Sequence, residues 1–315
     1  MSKSNFNKNI FYNEFKPDFL LLIKEFPELK KYILKQDKEK KEEIAFDWSN
    51  NDLSLLMTKS ILNYYFNIKY YHIPKGYLIP PIPSRLNYLN LINSLLTSKN
   101  NDKIKTDIIG IDIGTGANII YPILGYSLFK WKIICTEIND EAYNNAKLIL
   151  QKNNLEQNIF LIKQKNKSNV FLGILNQENK YSFSICNPPY YDYETEIKLD
   201  DKKRDNEFNF DEVYYKQGEL GFFKRYFEES ICYKKNVFLF TILIGKKSNA
   251  ENIYDIINNQ NNNNDIIKLS NIQKIQTGNN LRYIIYWSFF DNYTEFINTK
   301  LYSNEYNRFR PIIKY

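Results

Sequence analysis

The sequence predicts an α/β fold: a mostly parallel, seven-stranded sheet wound on both faces, closing in a C-terminal antiparallel hairpin and preceded by a mainly helical extension. Three observations carry this prediction. From about residue 107 onward, apolar runs of strand length alternate with segments of helical period. The run Ile111-Asp112-Ile113 ends in Gly114-Thr115-Gly116, a glycine turn between strand and helix. A later run, Ser184-Ile185-Cys186, ends in Asn187-Pro188-Pro189-Tyr190.

Composition sets the outer bounds. A chain of 315 residues with 43% hydrophobic content can bury one large core, or one domain with an appendage. The formal net charge of +7 suits a nucleic-acid partner, although many soluble enzymes carry as much. Tyrosine and phenylalanine number 26 and 22, but Asn, Lys and Ile are raised with them, the mark of a genome-wide bias. Cys135, Cys186 and Cys232 have no metal-like spacing, and two lie in apolar runs, so buried free thiols are expected. A single histidine, His72, leaves little scope for a His-based metal site or triad, and no metal is expected. No apolar run reaches membrane-spanning length and no signal-peptide pattern opens the chain. These features predict no membrane partner and a reducing compartment, nucleus or cytoplasm.

Residues 1–100 read as helices with irregular connections. Leu21, Leu22, Phe26, Leu29 and Ile33 fall at helical spacing over Leu20–Tyr32. Asp52 is positioned to cap a second helix running to about Phe66. Ile79-Pro80-Pro81-Ile82-Pro83 cannot be helix interior, and Ser84-Arg85-Leu86 opens a further helix to about Leu96. Residues 97–106 read as a polar linker. Strands are predicted over 108–113, 132–137, 159–164, 182–186 and 236–244, with helices over 118–129, 140–153 and 219–233 between them. A helix near 250–259 leads to Asn261–Asn264, a polar tract placed at a loop tip. Runs 267–276 and 281–290, joined through Thr277-Gly278-Asn279-Asn280, give the hairpin. Residues 192–217 are charged and patternless and read as a mobile loop. The expected divisions are an extension over 1–100 that helps bind RNA and cover the cofactor, a catalytic domain over 101–292, and a tail over 293–315.

The motifs carry chemistry. Gly114 and Gly116 allow a sharp turn and close approach of a ligand to the backbone. Position 119 is Ile where a dinucleotide fingerprint has its third glycine, so a nucleoside with an amino-acid tail fits better than a pyrophosphate. Glu137, at the end of the next strand, is placed to accept from ribose hydroxyls. In Asn187-Pro188-Pro189-Tyr190 the prolines hold Asn187 extended. The Asn amide oxygen and a proline carbonyl can then accept from one exocyclic NH2 while Tyr190 stacks on the base. A sulfonium methyl donor needs no strong general base beside it. These features describe S-adenosylmethionine-dependent methylation of a planar amine. Adenine, guanine and the glutamine side chain all remain open at this point.

Several segments resemble methyltransferase-like protein 16 and its bacterial ribosomal-RNA relatives. They are Lys16-Pro17-Asp18-Phe19, Ile79-Pro80-Pro81-Ile82-Pro83-Ser84-Arg85-Leu86-Asn87-Tyr88, Gly110 to Asn118, Ile120-Tyr121-Pro122-Ile123-Leu124-Gly125, Cys186 to Tyr191, Gly218-Glu219-Leu220, Gly245-Lys246-Lys247-Ser248 and Trp287-Ser288-Phe289. They run in the family's order over roughly 11–292. The resemblance implies a class I S-adenosylmethionine-dependent methyltransferase acting on the N(6) amine of an unpaired adenosine in a structured RNA hairpin. The eukaryotic branch implies U6 snRNA as target, the bacterial branch ribosomal RNA. A protein glutamine methyltransferase and a non-catalytic RNA-binding protein are the competing readings. Carried over residue by residue, the resemblance implies that Arg85 meets the methionine carboxylate of the cofactor. It also implies that Asp112, Gly114, Thr115 and Gly116 form the cofactor turn, Glu137 holds the ribose and Ser168 lies near the adenine. Asn187, Pro188, Pro189 and Tyr190 form the catalytic set, with Asn187 also beside the cofactor. Tyr190 and Tyr191 stand where phenylalanine is usual, and Gln217-Gly218-Glu219 where the family has Gly-Gly-Glu. The chain end near 315 implies no counterpart to the C-terminal RNA-binding modules of vertebrate members. Lys16, Lys202, Lys203, Arg204, Lys246, Lys247 and Arg282, with Lys3 and Lys8, are the candidate phosphate contacts, although each alone is also what a solvated surface charge looks like.

Overall fold

The computed structural model describes residues 15–36, 44–97, 107–192, 214–264, 266–277 and 280–301. Its centre is a seven-stranded sheet. The strands are β3 (Ile109–Ile113), β4 (Lys132–Glu137), β5 (Ile159–Lys163), β6 (Tyr181–Cys186), β9 (Val237–Ile244), β10 (Leu269–Thr277) and β11 (Asn280–Ser288), in the order β10-β11-β9-β6-β3-β4-β5. Five run parallel; β11 is antiparallel to β9 and to β10. Thr277 pairs with Asn280, so only two residues separate the hairpin strands. All of β6 and β9 is buried, which is why both read as continuous apolar runs and not as alternation. Strand order reverses at β3, between β4 and β6, so a crevice opens there at the carboxyl ends of the strands.

Each face of the sheet has its own apolar layer. On one, Ile133, Cys135, Phe183, Ile185, Leu239 and Leu243 pack with α2 (Asn51–Phe66), α3 (Ile82–Leu96), α4 (Ile120–Phe129) and α5 (Asp140–Lys152). On the other, Ile111, Tyr181, Val237, Phe240, Ile242 and Ile285 pack with α6 (Gly218–Cys232) and α7 (Lys247–Asn264). The N-terminal helices therefore share a core with the sheet. Tyr88 of α3 donates to Thr241 of β9 at 2.8 Å, and Thr241 donates to the Ser184 carbonyl of β6 at 2.8 Å. This buried chain fixes how α3 lies on the sheet.

The structure departs from the sequence reading at five places. The expected helix over Leu20–Tyr32 is broken: α1 (Phe19–Glu25) stops at Phe26 and a 3-10 turn takes Pro27–Tyr32. Pro27 lacks an N–H and pushes Phe26 out of helical backbone, overriding the apolar spacing. The cap of α2 is Asn50, which accepts from the Asp52 and Leu53 N–H groups; Asp52 sits in the first turn. A small antiparallel pair, β1 (Ile33–Gln36) and β2 (Ile44–Phe46), interrupts the helical extension. Helix α7 runs to Asn264, so Asn261–Asn264 is its last turn and not a loop tip. The expected tail begins with α8 (Tyr293–Asn298), where Tyr293 and Phe296 are buried and Lys180 donates to the carbonyls of Phe296, Ile297 and Thr299.

Thr97 closes α3; the remainder of the expected linker, 98–106, lies outside the described residues, as does 193–213 of the expected mobile loop. The ends of that loop are ordered: β7 (Tyr191–Asp192) pairs in parallel with β8 (Tyr214–Tyr215), and the Gln217 N–H donates to Asp192 Oδ1 at 3.0 Å. Cys135 and Cys186 are buried free thiols, as expected, whereas Cys232 is exposed. Among the described residues no helix is long and apolar enough to cross a membrane, and no group of three or more His, Cys, Asp or Glu could hold a metal.

Candidate active site

The crevice at the strand-order reversal is a cavity of about 430 Å³. Its floor is the turn after β3. Gly114 (φ 68°) and Gly116 (φ 66°) occupy left-handed backbone that other residues resist. The turn is tied to β4: the Thr115 N–H donates to the Thr136 carbonyl at 2.8 Å, and the Gly116 N–H to Glu137 Oε2 at 2.9 Å. Glu137 Oε1 accepts from the Ile138 and Asn139 N–H groups, both at 2.7 Å. Burial pushes the Glu137 carboxyl above its ordinary value, while those three N–H donors pull the other way. The side chain is thus locked in place by backbone donors, with lone-pair capacity on Oε2 left toward the cavity.

Arg85 reaches the same cavity from the first turns of α3. Its Nη1 donates to Tyr121 Oη at 2.8 Å, and Tyr121 stands edge-on to Tyr88, 5.5 Å between ring centres. Asp112 is fully buried directly behind the wall. Burial pushes its carboxyl up to about 7, with Glu137 adding to the shift and Thr115 and Arg85 opposing it. The opposite wall is Asn187-Pro188-Pro189-Tyr190 at the end of β6. The Arg282 guanidinium lies 5.0 Å from the Tyr190 ring centre. Gly245 closes in on the same ring: a Cβ there would fall 2.2 Å from Tyr190 Cε1. Gly245 is held by Glu219, which is fully buried and accepts from the Gly245 N–H at 2.5 Å and from Asn249 Nδ2 at 2.8 Å.

Unsatisfied polar atoms concentrate here. Among the described residues five buried side-chain atoms lack a hydrogen-bond partner, and three belong to residues that line this cavity: Arg85 Nε, Thr115 Oγ1 and Asn187 Oδ1. Leaving such atoms unpaired is costly unless a ligand completes them. A cationic donor, a glycine turn, a carboxylate and an amide oxygen in one cavity fit the carboxylate tail, backbone approach, ribose and reacting end of S-adenosylmethionine.

Most of the candidates expected from the sequence meet in this cavity. Arg85, Gly114, Thr115, Gly116, Glu137, Asn187, Pro188, Pro189 and Tyr190 all line it. Ser168 does not: it is exposed, its N–H is turned onto Asn166 Oδ1, and Asn169 and Val170 line the cavity in its place. Of the basic candidates, Arg282 reaches Tyr190, and Lys246 lies 6.0 Å from the Tyr191 ring centre. Lys247 is paired with Glu251 at 3.4 Å along α7, and exposed Lys16 is not part of the cavity wall. Lys3, Lys8, Lys202, Lys203 and Arg204 lie outside the described residues. Sequence reasoning missed Tyr77, whose hydroxyl lies 3.0 Å from both Asn139 Oδ1 and Glu141 Oε2 and shares its one proton between them, and Asn118, which donates to the Leu78 carbonyl. It also missed Tyr214, Tyr215 and Lys216, which follow the undescribed segment. Tyr77 sits on a patternless loop, and only packing brings it to the cavity.

Sheet order, glycine turn, strand-end acid and Asn-Pro-Pro-Tyr wall together define a class I S-adenosylmethionine-dependent methyltransferase. The comparison with known proteins narrows the class. Residues 1–291 match the model of an RNA methyltransferase family, and the chain belongs to that family. It is 35% identical over 294 residues to the ribosomal RNA large subunit methyltransferase F of Flavobacterium johnsoniae, covering 87% of this chain and 90% of that protein. The protein of the same name from Christiangramia forsetii is 34% identical over 254 residues, 76% of this chain and 87% of the relative. Among solved structures, the N-terminal domain of human METTL16 in complex with SAH superposes with a TM-score of 0.71 at 28% identity, covering 92% of this chain and 100% of that one. The METTL16 catalytic domain in complex with a MAT2A 3'UTR hairpin gives 0.75 at 27% identity, covering 92% and 96%. The protein is therefore an RNA methyltransferase with S-adenosylmethionine as its cofactor.

Proposed function

We propose that the enzyme methylates the N(6) amine of an unpaired adenosine in structured RNA, and that large-subunit ribosomal RNA is the target. The observation that carries the first part is Asn187 Oδ1: buried, without a partner, and facing a cavity whose wall also holds the Tyr190 ring. An acceptor of this kind selects a donor amine, orients it, and stabilises the positive charge that grows on nitrogen as the methyl arrives. S-adenosylmethionine supplies an electrophilic methyl with a neutral leaving group, and the displaced proton passes to solvent. In this reading Arg85 binds the carboxylate of the cofactor, Glu137 its ribose, and the turn at Gly114–Gly116 lies against its nucleoside. Tyr190 stacks on the target base, which must leave its helix to be reached. The N-terminal extension contributes Tyr77 and Arg85 to the cofactor side.

The second part rests on similarity. The proteins named for ribosomal RNA are 35% and 34% identical to this chain, against 28% and 27% for human METTL16. That ordering favours the ribosomal target over the U6 snRNA that the eukaryotic branch suggests. The test is incubation of the purified protein with labelled cofactor and, separately, ribosomal subunits, free ribosomal RNA, U6 snRNA and total protein, followed by nucleoside analysis. Label in N(6)-methyladenosine from large-subunit RNA is expected. Label in U6 alone would move the target, and label in glutamine would overturn the substrate class. A hairpin with its adenosine bulged should be methylated, and its fully paired counterpart should not.

A further inference from the structure

The base pocket is continuous with a second, shallower depression of about 240 Å³ on the flank of α6. Tyr215 and Lys216 line both. Beyond them the depression is walled by Gly221, Lys224, Arg225 and Glu228. The seating of its parts is specific. A Cβ at Gly221 would fall 2.0 Å from the Lys216 carbonyl oxygen, so only glycine lets the segment after β8 lie against the first turn of α6. The Gly221 N–H donates to the Gln217 carbonyl at 3.2 Å, and Gln217 itself is held at φ 64°, a left-handed conformation unusual for its type. Its N–H is tied to Asp192 Oδ1 of β7. Lys216 is thereby held beside Lys224 and Arg225 along one wall. Tyr215 stands edge-on to Phe222, a residue of the base pocket, 5.4 Å between ring centres.

Lys224 and Arg225 are exposed, and among the described residues neither is paired with an acid, Glu228 included. Unpaired cations beside a held aromatic ring, at the mouth of a pocket that takes one flipped base, match the two faces of a neighbouring nucleotide: its phosphate and its base.

We propose that this depression is the subsite for the nucleotide adjoining the target base in the RNA strand. Lys216, Lys224 and Arg225 take its phosphates and Tyr215 stacks on its base. The inference rests on the reading that the cavity holds a single unpaired nucleotide of RNA.

The test uses the full chain and a fluorescent hairpin with one bulged adenosine. Lys224→Ala/Arg225→Ala should retain its thermal midpoint and its cofactor affinity. Its RNA affinity should fall, and the slope of log affinity against log salt should shrink by about 1 to 2 for the two lost phosphate contacts. KM for RNA should rise with little change in kcat, and Lys224→Arg/Arg225→Lys should restore binding. A neutral methylphosphonate beside the bulged adenosine should weaken wild-type binding more than that of the double variant, which keeps only Lys216 of the three cations. An unchanged salt slope and KM in a folded double variant would overturn the subsite. Unchanged RNA binding with lost binding of a poly-glutamate peptide would assign the surface to an acidic protein partner instead. Binding is read without methyl transfer, so the two readings fail separately. A wild-type protein that binds the hairpin with the expected slope but transfers no methyl to adenosine would sink the proposed function and leave the subsite standing.

Discussion

Gly245→Ala should displace the Tyr190 ring, the proposed platform for the target base, while leaving cofactor binding alone. Gly245 is not in left-handed backbone, so alanine itself is tolerated there. The added Cβ is not: it would fall 2.2 Å from Tyr190 Cε1, 2.8 Å from Cδ1 and 3.1 Å from Arg282 Nη1. Carbon atoms rest about 3.5–4 Å apart, so the ring must move by more than about 1 Å. It has little freedom to do so, with two prolines fixing the backbone before it and Arg282 over its face. Overpacking of this kind costs about 1–3 kcal/mol, and a base stacked on an aromatic ring is worth about 1–3 kcal/mol. If displacement forfeits the stacking, kcat/KM should fall by about 10-fold to about 100-fold, at roughly 1.4 kcal/mol per decade. The assay is steady-state methylation of the bulged hairpin, with calorimetric titration of cofactor alongside and both repeated in a Tyr190→Ala background. Removing the ring makes room for the methyl, so Gly245→Ala should there cost nothing further. An equal loss in both backgrounds, or a weakened cofactor affinity, would show that the added methyl does not act through the Tyr190 ring.

Asn187→Ala should lower kcat by about 10²- to 10³-fold with cofactor binding largely intact, because in the proposed reading the lost acceptor aims at the substrate amine; near-normal turnover would displace it from the chemistry. Arg85→Ala and Glu137→Ala should each weaken S-adenosylmethionine binding, Arg85 by about 1.5–3 kcal/mol as the loss of a charge-assisted pair; calorimetry showing unchanged affinity in both would put the cofactor elsewhere. Asp112 gives a pH signature. Its carboxyl is pushed up to about 7 from an ordinary 3.8 by burial, so the folded protein holds a proton that the unfolded chain releases. Stability of the cofactor-free protein should therefore fall as pH rises from about 4 to about 7 and level off above, and Asp112→Asn should remove that fall. Melting temperatures of the two proteins at about pH 5 and about pH 8 decide the matter: a variant that tracks the wild type at both would show that Asp112 is not the source.

Much of the fold follows from chemistry between neighbouring residues in the chain. Apolar runs of strand length, alternating with segments of helical repeat, marked the five parallel strands and their helices to within a residue or two at most ends. Gly114 and Gly116 announced a left-handed turn because few other residues occupy one cheaply, and the prolines of the Asn187 wall announced an extended stop. The same local chemistry could have corrected the first helix, since Pro27 lies in plain view within its apolar spacing. Tertiary structure alone decided what converges. Arg85 lines one cavity with Thr115 and Asn187 because α3 is seated on the sheet, and the Tyr88–Thr241–Ser184 chain that helps seat it joins residues far apart in sequence. Tyr77 enters the cavity, and Ser168 stays out of it, because of how two patternless loops lie. Glu219 supports Tyr190 through Gly245, three residues on three segments that no spacing connects. The short pair β1 and β2 and the docked helix α8 carry too few residues to show a period, and each is stabilised by neighbours, the latter by Lys180 on its terminal carbonyls. Periodicity and turn chemistry are properties of adjacent residues and survive in a sequence read alone. Convergence depends on the direction in which packed elements point, and that exists only once the chain has folded.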